Sequence, residues 1–300
     1  MNIVFMGTPS YAAVILESLL KSHTIKALVC QPDKRAGRDM QLKMPATKEL
    51  LLKSGLEVPI LQPQALDLDF VDLLKQIQFD IIVVAAFGKI LPKEILNLAP
   101  CVNLHTSILP KYRGASPIQE SILANEKFFG VTLMKMEEGL DSGDILGMRI
   151  IKNHQQNSKE LFSELSNAAA ILTLQYLEKR DLIVPMQQIG ADATYCKKIK
   201  KEMGIVDFGD AENLYRKALA YEGWPEIFLK NGLKIKEVVL NEIQSCNLAG
   251  EILEITEDKI LVGCLQGSVW IGTLQAPSKK AMSAYQYLQG RRLRKGDILS

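Results

Sequence analysis

Three side chains in this 300-residue chain have the types and spacing to handle a reacting carbonyl: Asn103, His105 and Asp141. The run Cys101-Val-Asn-Leu-His105 is short and apolar, as a buried strand is. Alternate side chains of a strand share a face, so Asn103 and His105 project together. An amide beside an imidazole suits a carbonyl oxygen that gains negative charge. The acid comes from the turn Gly139-Leu-Asp-Ser-Gly143, which follows the strand-like run over residues 130–136. Taken singly, a histidine in an apolar strand is more often a satisfied core group, and an aspartate in such a turn is more often a turn former. The combination weighs more because the chain has only 3 histidines, and His105 ends a strand of the kind whose carboxyl edge binds ligands in open α/β sheets. Between them, Pro110, Gly114 and Pro117 interrupt any helical or alternating period, which predicts an ordered loop over residues 107–119. Long loops over strand ends usually bind something.

The elements that must hold these residues follow from periodicity. Residues 2–6 predict a buried strand, 11–20 an amphipathic helix and 25–30 a second strand. Helices are predicted over 46–53 and 67–77. Residues 80–86, apolar on both faces, suit the centre of a parallel sheet. This alternation predicts an α/β fold with a doubly wound, mostly parallel sheet. The first turn, Gly7-Thr-Pro9, lacks the GxGxxG glycines, which argues against a nicotinamide cofactor. A strand over 145–151 and a long helix over 158–177 complete the region. From Pro185 to Gly204 the chain reads as irregular. Beyond it come one helix and several short strands, with Asn231-Gly232 a strong hairpin signal, and a small OB-like β-barrel is the natural closure. The predicted organisation is a catalytic domain over 1–185, a linker over 186–205 and a C-terminal barrel over 206–300.

Lys plus Arg number 36 against 34 for Asp plus Glu, so any polyanion signal must lie in their distribution. Lys34, Arg35, Arg38 and Lys43 cluster in residues 31–45, which read as a surface loop without apolar period. Lys197, Lys198, Lys200 and Lys201 cluster in the linker, and Lys279 to Lys295 contains no acid. Such stretches suit a phosphate backbone. No aromatic RNP motif supports reading of bases. The 5 cysteines show no metal-ligand spacing, which predicts reduced thiols, no metal and a cytoplasmic chain. No apolar run approaches the roughly 20 residues that cross a bilayer, and no leader is visible. A monomer without membrane contact is expected.

Together, Asn103-Leu-His105, Ser107-Ile-Leu-Pro-Lys-Tyr-Arg-Gly-Ala-Ser-Pro117 and Leu140-Asp141-Ser-Gly143 resemble the signature of the folate-dependent formyltransferases. NIVFMGTPSYA, QPDKRAGRDMQLKMP and AAFGKILP match the branch of that family that acts on a charged tRNA. The resemblance covers the N-terminal two thirds and continues more loosely beyond. It implies a Rossmann-like formyltransferase domain followed by a tRNA-binding OB-like barrel. It also implies formyl transfer from 10-formyltetrahydrofolate, as co-substrate, to the α-amino group of initiator methionyl-tRNA, a one-carbon transfer that serves translation initiation. The same resemblance makes Asn103, His105 and Asp141 catalytic. It gives folate contacts to Ser107, Ile108, Leu109, Pro110, Phe87 and Gly88, and matches Arg38 to the key arginine of a loop that enters the acceptor stem, with Lys34, Arg35 and Lys43 beside it. Phe87 stands where a tyrosine is common, so a hydroxyl contact is absent there. Three alternatives stay open from the residues: transfer to a small amine, hydrolysis of the formyl donor, and an RNA-binding protein whose sheet is structural.

Overall fold

Strands that are apolar on both faces need cover on both, and this requirement organises the first compact unit. The computed structural model describes residues 1–36 and 41–299. Its first unit comprises Met1–Pro117, Phe128–Lys152 and Phe162–Cys196. The elements begin with β1 (Asn2–Gly7), α1 (Ser10–Leu20), β2 (Thr24–Val29), β3 (Lys34–Ala36), β4 (Gln41–Lys43), α2 (Ala46–Ser54), β5 (Ile60–Leu61), α3 (Leu68–Lys75), β6 (Ile81–Ala85), α4 (Lys93–Leu96) and β7 (Cys101–His105). They continue with β8 (Arg113–Gly114), α5 (Pro117–Leu123, of the second unit beyond Pro117), β9 (Phe128–Lys135), β10 (Ile145–Lys152), α6 (Ser158–Lys179, of this unit from Phe162) and β11 (Tyr195–Cys196). Seven strands form one sheet in the order β10-β9-β7-β6-β1-β2-β5. It is parallel from β7 to β5 and antiparallel at β9 and β10.

Strand β6 lies at the centre with all of its residues buried. Its neighbour β7 is held from the helix side as well. The buried Tyr11 of α1 donates its hydroxyl to the Leu104 carbonyl at 3.3 Å, and its ring meets Phe162 edge-on, 5.8 Å between centroids. Burial pushes the Tyr11 hydroxyl pKa far up, so it stays a neutral donor. Asn103 and His105 therefore sit on a strand fixed on both sides.

Residues 31–45 depart from the expected irregular loop. Strands β3 and β4 pair as an antiparallel ribbon, Lys34 opposite Lys43 and Arg35 opposite Leu42. Main-chain pairing needs no apolar period, which is why the pattern was silent. The ribbon's base is tied by Lys48, whose ammonium donates to both Asp33 oxygens at 2.9 Å and to Gln62 Oε1 at 2.8 Å. A second departure is Pro117, which opens α5 instead of belonging to the loop; proline suits a first helical turn because its missing N–H would be unpaired there anyway.

The second unit comprises Ile118–Lys127, Asn153–Leu161 and the chain from Lys197 onward. It contains α7 (Ala211–Ala220), β12 (Ile227–Phe228), β13 (Lys234–Glu242), β14 (Ile252–Ile255), β15 (Ile260–Gly263), β16 (Ser268–Gln275), β17 (Met282–Ser283) and α8 (Ala284–Arg291). The strand order is β12-β13-β16-β15-β14, with β17 on β16. The Asn231-Gly232 turn joins β12 to β13, and Gly232 takes the positive φ of 86° that the turn requires. Ile235, Ile260, Val262, Val269 and Ile271 are buried along the sheet, while Asp210 caps α7 through the amides of Glu212 and Asn213. The strands pair antiparallel throughout, and among the described residues β14 does not pair with β12. Helix α8 was not expected inside the basic run. Its signal was the Ser-x-x-Gln start, where Ser283 Oγ accepts from the Gln286 amide at 3.2 Å. Among the described residues no helix is long and apolar enough to cross a membrane.

Ile82 in β6 is 0% exposed, so Ile82→Ala should lower the unfolding free energy by about 2–5 kcal/mol in a urea titration. A loss below about 1 kcal/mol would contradict its place at the packed centre of the sheet.

Candidate active site

Strand β7 ends in the two residues that the alternation placed on one face. Asn103 is half-buried, and its side-chain amide makes no hydrogen bond among the described residues. Its donors and acceptor are thus available to a ligand. His105 is buried, at 6% exposure, and both ring nitrogens face acceptors. Nε2 lies 2.9 Å from the Tyr112 carbonyl oxygen. A carbonyl only accepts, so Nε2 carries the hydrogen. Nδ1 lies 3.6 Å from Asp141 Oδ2. A bare nitrogen and a carboxylate are both acceptors, so this contact is favourable only with a proton between them.

Asp141 is positioned by main chain. Its Oδ2 accepts from the Gly114 N–H at 2.8 Å. Residue 114 has φ 120°, and a Cβ there would run into the Cys196 carbonyl oxygen, so only glycine brings the amide this close. The neighbouring strand pair explains the approach: Arg113 and Gly114 of β8 pair with Tyr195 and Cys196 of β11. Asp141 has φ 47°, a left-handed turn conformation that aspartate tolerates better than most residues.

The loop after β7 is ordered, as expected. Thr132 of β9, fully buried and opposite His105, donates its hydroxyl to the Ser107 carbonyl at 2.7 Å and accepts from the Leu109 amide at 3.2 Å. Ser107 Oγ donates to the Lys111 carbonyl at 2.6 Å. The Tyr112 amide donates to Thr194 Oγ1 at 2.8 Å, which fixes the carbonyl that His105 uses. Sequence reading did not single out Thr132, Thr194 or Gln188. For Thr132 a signal existed, a lone polar residue inside an apolar strand; the other two lie in the stretch read as irregular.

The remaining candidates are distributed as follows. Leu109 packs with Met134 and Ile145, and Phe87 packs with Val84, Leu91 and Ile95, so both turn their side chains into the core. What Phe87 offers at the strand end is its carbonyl, which accepts from Gln31 Nε2 at 3.1 Å. Gly88, with φ 80°, is exposed beside it, while Ile108 and Pro110 are half-buried. Lys34, Arg35 and Lys43 are exposed on the ribbon. Arg38 lies outside the described residues. Among the described residues no cluster of His, Cys, Asp and Glu is arranged to hold a metal ion.

A family model described as formyl transferase matches residues 1–170, and one described as formyl transferase, C-terminal domain, matches residues 198–292. The methionyl-tRNA formyltransferase of Nitratiruptor sp. is 48% identical over 299 residues, covering 99% of each chain. That of Helicobacter pylori is 48% identical over 303 residues and covers 100% of both chains. A solved structure of methionyl-tRNA formyltransferase from Clostridium thermocellum has a TM-score of 0.58 at 23% identity, covering 80% of this chain and 94% of that one; this is a likeness of fold.

Gly114→Ala should destabilise the chain by about 1–3 kcal/mol, the range for a side chain forced into such backbone. A denaturant midpoint equal to the wild type would refute the close approach to Cys196.

Proposed function

The chain belongs to the formyl transferase family, and we propose that it moves a formyl group from 10-formyltetrahydrofolate to the α-amino group of initiator methionyl-tRNA, with Asn103, His105 and Asp141 as catalytic residues. The observation that carries this reading is the Asp141 carboxylate, held 2.8 Å from the Gly114 amide and 3.6 Å from His105 Nδ1, at the end of the strand that carries Asn103.

The donor supplies a formyl carbon bonded to N10. Asn103 donates to the formyl oxygen as attack makes it negative, a contribution whose loss typically lowers the rate about 100- to 1,000-fold. Asp141 accepts the proton that the attacking nitrogen sheds; because an α-amine has a pKa of only about 7.7–8.0, a modest base suffices. His105, facing Asp141 through Nδ1, stabilises the charge and passes the proton on. The new C–N bond forms to the amine, the bond to N10 breaks, and the proton ends on N10. No electrons are exchanged and no covalent enzyme intermediate is needed.

Ser107, Ile108, Leu109, Pro110, Phe87 and Gly88 hold the folate, by main-chain groups where the side chain is turned into the core. Lys34, Arg35, Lys43 and Arg38 take phosphates of the acceptor stem, and the barrel's basic stretches add a salt-sensitive grip. The division of labour is chemistry in 1–185, a linker over 186–205 and RNA binding in 206–300, in a cytoplasmic monomer. A basic ribbon and barrel are more than a small amine acceptor requires.

The test is transfer of labelled formyl to methionyl-tRNA by wild type, His105→Ala and Asp141→Ala, with each variant shown to be folded. Wild type should transfer, and each variant should lose about 100-fold or more in kcat. Donor consumption without labelled tRNA would move the acceptor to a small amine or water. Separately, Arg38→Ala should raise KM for tRNA while the KM for the folate stays within about twofold; an equal rise in both would overturn the assignment of residues 31–45 to RNA binding.

A further inference from the structure

We infer that Gln188 is a positioning residue for the transfer proposed above, and the inference rests on that reading: its side-chain amide locks the turn that carries Asp141 to the loop that carries Gly114. Gln188 is buried, at 8% exposure. Its Oε1 accepts from Arg113 Nε at 3.1 Å and from Arg113 Nη2 at 2.7 Å. Its Nε2 donates to the Asp141 carbonyl at 2.9 Å and to the Gly143 carbonyl at 2.7 Å. The orientation of the amide is forced, since a guanidinium only donates and main-chain carbonyls only accept. Four bonds thus leave one side chain, two to each of the segments that must meet.

The place of these bonds gives them their effect. Arg113 is the residue before Gly114, whose N–H holds the Asp141 carboxylate. Asp141 is gripped at its own carbonyl, in the left-handed conformation that surroundings must enforce. Gln188 itself cannot drift, because the segment around it is fastened at both ends. Met186 and Ile145 exchange main-chain bonds at 2.8 and 2.9 Å. The Arg113 amide donates to the Thr194 carbonyl at 2.8 Å. Residues 186–194 therefore form a strap across the site rather than a slack connection.

Gln188→Glu separates positioning from packing. It keeps the side-chain volume and strengthens the acceptor facing Arg113, but it sets carboxylate oxygen against the two carbonyls that need a donor. Gln188→Leu removes both sets of bonds. Both variants should fold with kcat lowered about 10- to 100-fold, the scale of a displacement of about 1 Å at a reacting group. KM for each substrate should stay within about twofold, with kcat referred to the folded fraction read from a denaturant titration, so that lost folded enzyme is not counted as lost positioning. In an Asp141→Asn background the cost of either change should largely vanish, as coupled residues require. The Gly114 amide proton supplies a readout independent of turnover: it reports the carboxylate that it binds, and its NMR resonance should move upfield in both variants. A wild-type kcat in Gln188→Glu overturns the inference, and that variant keeps the test decisive should Gln188→Leu fail to fold. If the wild type itself formylates no methionyl-tRNA, the functional reading has failed instead. An unmoved Gly114 resonance in Gln188→Glu would then overturn the positioning role, and a shifted one would sustain it.

Discussion

The hydrogen bond from the Gly114 main-chain N–H to Asp141 Oδ2, 2.8 Å long, is the constraint on which the rest of the site depends. A main-chain donor cannot rotate away as a side chain can, so the carboxylate's position is set by the path of two chain segments. A charge-assisted bond of this kind is also stronger than a neutral one. It requires a residue without Cβ, because β8 passes directly under the Cys196 carbonyl. It further requires that Asp141 turn back through a positive φ to face the loop. Glycine at 114 and a short polar residue at 141 are therefore backbone requirements before they are chemical ones.

The second consequence concerns the imidazole. His105 is almost wholly enclosed, yet its environment offers only acceptors, the Tyr112 carbonyl on one side and the Asp141 carboxylate on the other. Such an arrangement sets the tautomer, with the ring hydrogen on Nε2 toward the Tyr112 carbonyl. The supports are ordinary structural bonds: Thr132 holds the loop that delivers Tyr112, and Tyr11 holds the strand that delivers His105. Each is a buried polar group with its partner satisfied, so rigidity comes without the cost of an orphaned donor.

The positions of the three proposed catalytic side chains were legible in the sequence, and the residues that hold them much less so. Asn103 and His105 could be placed on one face because a strand alternates with period two, and Asp141 could be returned to that edge because its turn follows the next strand. The doubly wound sheet was readable for the same reason, since β1 and β6 are apolar on both faces. The ribbon β3–β4 was hidden because main-chain pairing of charged residues leaves no hydrophobic period. The two-residue strands β8 and β11 are far apart in the chain and carry no pattern at all. Gln188 was hidden most completely. A single polar residue in an irregular stretch looks like solvent-facing loop, and only three-dimensional proximity to Arg113, Asp141 and Gly143 reveals that both ends of its amide are used. Side-chain type marks a candidate for chemistry, whereas a candidate for placement shows only through its neighbours.

The central claim is that His105 is held with its hydrogen on Nε2 and with Nδ1 turned to the Asp141 carboxylate. Nitrogen NMR of the protein labelled in histidine tests it most directly, since the chain has only 3 histidines to assign. The account predicts that the neutral His105 ring is the Nε2–H tautomer, and that the proton added on acidification appears at Nδ1. A neutral ring protonated at Nδ1, with a bare Nε2 facing the Tyr112 carbonyl, would contradict it.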